Sequence, residues 1–122
     1  MTVEETICAV STPPGTGGIA VIRLTGSEAI RVAGKVFVPL KAGLDLVTME
    51  ANRSVVGQLV SNGEMVDEVV VTLFRKPHSY TGEDVVEISC HGSLFIQQEI
   101  LRIVIDQDRK STRLNSSHVS QT

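Results

Sequence analysis

An Asn-Gly pair at residues 62–63 separates two runs rich in β-branched residues, 54–60 and 66–74. No other feature narrows the fold as much. A pair of adjacent residues that tolerates positive φ makes the tight turn whose twist matches paired strands. The flanking runs are therefore predicted to be neighbouring antiparallel strands, with 61–63 as their turn. Apolar runs at 6–10, 19–24 and 85–90 are also long enough for strands and too short for helices. Helical spacing appears in two places. Ala29, Ile30, Ala33, Val36 and Phe37 line one face of a helix that opens after Ser27, a good N-cap, with Glu28 suited to its first turn. Ile96, Ile100, Ile103 and Val104 line another, from about Ser93 to Ile105. Residues 41–52 show no period and are expected to be loop. This order predicts an α+β fold, a mixed or antiparallel sheet with two helices on one face.

A chain of 122 residues suits one domain, with or without a tail. Residues 1–105 carry the patterned elements. From residue 106 the chain turns polar and rich in Ser and Thr, so 106–122 is expected to be a disordered or artefactual tail. No stretch is apolar for the length of a membrane span, and the acidic first residues do not resemble a signal peptide. No membrane association and a cytoplasmic location are the expectation. A net charge of −3 gives no general attraction to polyanions, and 3% aromatic residues leave few platforms for stacking bases. Cys8 and Cys90 are too few and too far apart to make a disulfide framework.

Chemistry concentrates in two strands. Glu87 stands in the middle of the run 85–90, on the same face as Val85 and Ser89. A carboxylate buried there without a partner costs several kcal/mol, so it needs a cation, a ligand or water. Arg23 ends the run Ile19-Ala20-Val21-Ile22. Its planar fork suits a carboxylate or an anionic ligand, while the plainer alternative is an Arg reaching solvent. Gly15 to Ala20 matches G-x-G-x-x-A, but Pro13-Pro14 precedes it and a strand follows, so it is not a dinucleotide site. Nor is there a Gly-Lys-Ser/Thr phosphate loop, and no GTP binding by this chain is expected. Cys8, Cys90 and His91 lack the spacing of a metal site, and adjacent strand residues point to opposite faces, which also argues against a Cys90–His91 nucleophile. No metal ligands and no catalytic residues are assigned.

Two long motifs carry a resemblance. Thr12-Pro13-Pro14-Gly15 with Gly17 to Gly26, and Ser79-Tyr80-Thr81-Gly82-Glu83-Asp84-Val85-Val86-Glu87-Ile88 with Cys90-His91-Gly92, resemble the N-terminal domain of the TrmE (MnmE, ThdF) family of tRNA-modification GTPases. The likeness runs from about Thr6 to Ile105. Thr16 stands where the family often has Arg, and Ser93 where it often has Gly. The resemblance implies a fold like the folate-binding domain of the glycine-cleavage aminomethyltransferase. It implies binding of 5-formyl- or 5,10-methylene-tetrahydrofolate, with Arg23 and Glu87 at the folate-contacting positions. It further implies a homodimer, a flavoprotein partner (MnmG, GidA) and modification of C5 of the wobble uridine in certain tRNAs. GTP, magnesium and potassium belong to a G domain that this chain does not contain, so the chain alone is expected not to be catalytic. The family's Pro-Gly-Glu-Phe segment and its following Lys are not found after Ile105. A pure dimerisation module and an aminomethyltransferase-type folate-binding fragment are the alternatives.

Overall fold

The computed structural model describes residues 6–10, 18–75 and 83–116, with side chains described through residue 110. Six strands form one sheet: β1 (Ile7–Val10), β2 (Ile19–Thr25), β3 (Phe37–Pro39), β4 (Ser54–Ser61), β5 (Glu64–Phe74) and β6 (Val85–His91). Their spatial order is β1-β2-β6-β5-β4-β3 and every adjacent pair is antiparallel. Two helices, α1 (Ala29–Val36) and α2 (Leu94–Ser116), pack against each other and against the same side of the sheet. The α+β expectation is met, with the sheet antiparallel throughout.

The turn at residues 62–63 forms as the sequence requires, with Asn62 at φ 54° and Gly63 at φ 83°. Beyond it a bulge at Leu59/Val60 shifts the β4–β5 register by one residue. The strand period then sorts the side chains. Ile22, Leu24, Val86, Ile88, Val71, Leu73 and Leu59 point toward the helices and are fully buried there. Val32 and Ala33 of α1 and Ile100, Ile103 and Val104 of α2 complete that core.

Local structure departs from expectation in four places. Ser27 is not the N-cap. Glu28 holds that position without a side-chain cap bond, because Gly26 C=O accepts from Ala29 N–H (3.2 Å) while Gly26 N–H bonds Asp84 C=O (3.0 Å). Phe37 is not helical. Pro39 lacks an amide donor and forces Val38 to be extended, so α1 ends at Val36 and Phe37 starts an edge strand paired with Leu59. Residues 41–52 are not plain loop: Leu46–Thr48 form a 3-10 turn, with Asp45 Oδ1 accepting from Val47 N–H (3.0 Å), and Leu46 and Met49 are buried. Arg75 fastens that turn by donating to the carbonyls of Met49 (3.0 Å), Leu46 (3.1 Å) and Val47 (2.8 Å). Finally, α2 continues past Ile105 to Ser116, with a Lys110–Asp106 pair of 3.3 Å spanning one turn of the extension. The described residues contain no helix long and apolar enough to cross a membrane.

Candidate functional site: the open face of the sheet

The helices cover one face of the sheet, and the other carries the residues with chemistry. The β2–β6 register sets Arg23 directly opposite Glu87, and the β5–β6 register sets Thr72 on the other side of Glu87. Thr72 in turn faces Ser54, with 2.7 Å between their hydroxyls. A polar row, Arg23–Glu87–Thr72–Ser54, therefore crosses four strands. The next row is Val21–Ser89–Val70–Val56 and is mostly apolar. Beyond it lie Ile19, opposite His91, and Glu68, opposite Gln58. On the far side of the polar row Val85 is fully buried.

Arg23 and Glu87 form an ion pair. Arg23 Nε and Nη2 both donate to Glu87 Oε2, at 3.1 and 2.7 Å. The side chains keep 35% and 22% of their surface, so the pair is neither sealed in the core nor loose in water. Such a carboxylate is held in one orientation by its partner, and it still borders solvent. The cationic partner that Glu87 needed is thus Arg23 itself. The sequence brought out both residues, but only the register joins them.

The sequence left a third group undeveloped. The β5–β6 ladder ends at Val70–Ser89, and the side chain of Asp67 replaces the next rung. Asp67 Oδ2 accepts from the His91 backbone N–H (2.9 Å) and Oδ1 meets His91 Nδ1 (2.7 Å). That contact occupies Nδ1, so Nε2 is the ring nitrogen directed away from Asp67. Asp67 is buried and His91 exposed. The available signal for this pairing was an Asp inside a strand that holds four valines.

The thiols take no part in this face. Burial and the nearby Asp108 carboxylate push the Cys8 thiol up to about 12, and burial with Asp67 pushes Cys90 up to about 11. Both sit on the helix side of the sheet, where α2 and the core cover them. Neither thiol is expected to react with iodoacetamide at pH 8 in the folded protein, and both should alkylate in urea, as read by intact mass. These raised values also give a sign for stability. The folded protein retains protons that the unfolded chain loses from about pH 9, so stability present below pH 9 falls as the pH climbs towards 12. Among the described residues no cluster of His, Cys, Asp or Glu could hold a metal ion. The glycine-rich loop, residues 11–17, and the Ser79 to Gly82 turn lie outside the described residues.

Comparison with known proteins gives one consistent answer. The sequence profile described as "GTP-binding protein TrmE N-terminus" matches residues 6–116. The tRNA modification GTPase MnmE of Parabacteroides distasonis is 52% identical over 102 residues, covering 83% of this chain and 22% of the relative. The proteins of the same name from Moorella thermoacetica and Flavobacterium johnsoniae are 48% and 44% identical, over 84% and 91% of this chain. The chain thus spans less than a quarter of the length of these curated relatives, 22% and 23%. With the profile matching nearly every patterned element and identities this high, the chain belongs to the TrmE N-terminal domain family.

Proposed function

We propose that this chain is the part of a tRNA-modification GTPase that holds a one-carbon tetrahydrofolate on the open face of its sheet and joins two copies of the protein. The observation that carries the folate reading is the Arg23–Glu87 pair, a carboxylate fixed in orientation and bordered by an apolar row. A pterin edge presents an amino group beside a ring N–H, two parallel donors that match one carboxylate as an Arg fork does. Glu87 would hold that edge, and Arg23 would hold Glu87. The bound group would supply a one-carbon unit, as 5-formyl- or 5,10-methylene-tetrahydrofolate.

In the whole protein the proposed partners are a second copy, the flavoprotein MnmG and tRNA, with C5 of the wobble uridine as the modified atom. GTP, magnesium and potassium would act in a separate G domain. The names of the relatives support the tRNA-modification part of this reading. A pure dimerisation module is the weaker reading, because a contact between copies does not require a fixed carboxylate in the middle of a strand. Titration calorimetry of this chain with 5-formyltetrahydrofolate is the direct test, with light scattering of the same sample. Micromolar binding and twice the monomer mass are expected. Absence of heat at high folate concentration would reject the folate reading, and a monomer at high protein concentration would reject the dimer.

A further inference from the structure

We propose that the cavity where the last turn of α1 and the middle of α2 meet the β4–β5 turn is an anion site, taking a single phosphoryl group that is either free or carried on an RNA backbone. The cavity encloses about 210 Å³ and is lined almost wholly by polar groups. It lies on the helix side of the sheet, away from Arg23 and Glu87. Its assignment therefore stands or falls independently of the folate reading.

The chain places polar residues here at positions whose period points into the protein. On β4 the alternation that turns Val55, Gly57 and Leu59 to the helix side turns Ser61 there as well. On α2 the stripe that buries Ile100 and Ile103 continues at helical spacing, but its next members are Asp106, Gln107 and Lys110. Lys35 comes in from the last turn of α1, beside buried Val36. These groups face one another across a cavity instead of closing into core. Polar groups gathered in this way need water or a ligand to bond.

The charges give the sign of the ligand. Lys35, Arg102 and Lys110 line the cavity, against the single carboxylate of Asp106. Lys110 answers that carboxylate, with 3.3 Å between Nζ and Oδ2. Arg102 is held from outside the cavity by Glu99, whose Oε1 accepts from Nη2 at 2.8 Å, and its other N–H groups are left to donate. Lys35 makes no ion pair among the described residues. The site is thus locally positive in a chain whose net charge is −3. The Lys35 ammonium, the Arg102 fork, the Ser61 hydroxyl and the amides of Asn62 and Gln107 supply donors from both helices and the β4–β5 turn. Donors converging from several directions suit the several oxygens of a phosphoryl group. One cation beyond the internal pairs matches one such group rather than a run of them.

The test is a pair of titrations followed in amide 15N–1H spectra at constant ionic strength, one with inorganic phosphate and one with hexauridylate. Saturable shifts are expected at Ser61, Asn62 and Gln107. Lys35 and Arg102 are exposed, so Lys35→Ala and Arg102→Ala leave the core alone. Each should weaken binding by roughly tenfold, the scale of one charge-assisted hydrogen bond. Lys41→Ala removes the same charge from an exposed position elsewhere and should leave binding unchanged. Shifts with phosphate show that a free anion suffices. Shifts at the same amides with hexauridylate alone identify the RNA backbone as the source, with a salt dependence close to that of a single contact, a slope of about −0.7. Either result supports the site. No shift at these amides with either probe, or shifts that survive both Lys35→Ala and Arg102→Ala, overturns it.

Discussion

Glu87→Gln is expected to weaken binding of 5-formyltetrahydrofolate by roughly a hundredfold or more, with little change in folding. Hydrogen bonds to a charged group are worth about 1.5–3 kcal/mol each, and the pterin edge brings two donors to this carboxylate. The substitution keeps the size of the side chain and turns one acceptor into a donor. Arg23 already places two donors on Oε2, at 3.1 and 2.7 Å, so the new amide must face either a guanidinium or a pterin N–H. Either arrangement leaves donor against donor. The cost to folding is small because the pair keeps 35% and 22% of its side-chain surface, and a pair that exposed is worth about 1 kcal/mol or less. Arg23→Ala should also weaken binding, by releasing Glu87 from its orientation. The two readouts separate the cases. Unchanged melting with lost binding supports a ligand-holding role. Unchanged binding in Glu87→Gln would mean that the pterin is held elsewhere.

The second large effect is on stability. Gly57→Ala should destabilise the domain by about 3 kcal/mol, the upper end of what overpacking costs. Gly57 lies on the helix side of β4, opposite Pro39 of β3. A methyl group there would collide with the Val38 carbonyl oxygen and, at 2.5 Å, with the Phe37 ring. The ring cannot simply turn away, because Phe37 is itself buried in the core. Nor can the carbonyl move without pulling β3 off its partner. The adjoining Leu40 N–H bond to Val56 C=O, at 3.1 Å, would loosen with it. For a domain of this size each kcal/mol lowers the melting temperature by about 4 °C, so a fall of about 12 °C is expected in a thermal melt. A melt within two or three degrees of the parent would show that β3 is free to move. Val56→Ala, next to it but on the open face, should change little.

Period and turn chemistry made the sheet legible before any coordinates. The Asn62-Gly63 turn, the alternation along β2, β5 and β6, and the apolar stripes of α1 and α2 each follow from spacing within one short window. The same alternation put Arg23 and Glu87 on strands as charged exceptions, which is why both stood out. What was missed depends on contacts between distant windows. Ser27 looked like a cap, but the Gly26–Asp84 backbone bond already fixes the start of α1. Residues 41–52 looked shapeless because their order comes from Arg75, which supplies three carbonyl contacts from the end of another strand. Asp67 gains its role only from the fold, because the end of the β5–β6 ladder makes its carboxylate stand in for a backbone acceptor.

The sequence by itself determined the kind of elements, the face each residue takes within its strand, and the family. Those properties are local, or lie in motifs read along the chain. Strand order and register were decided by the tertiary structure. Arg23 and Glu87 are 64 residues apart, and nothing within either run says that one will lie opposite the other. A slip of one residue between β2 and β6 would keep both strands intact and turn one of the two charged side chains into the core. The packing of Ile22 and Ile88 beneath the helices forbids that slip, and so it is the apolar side of the sheet that holds the polar pair together on the other.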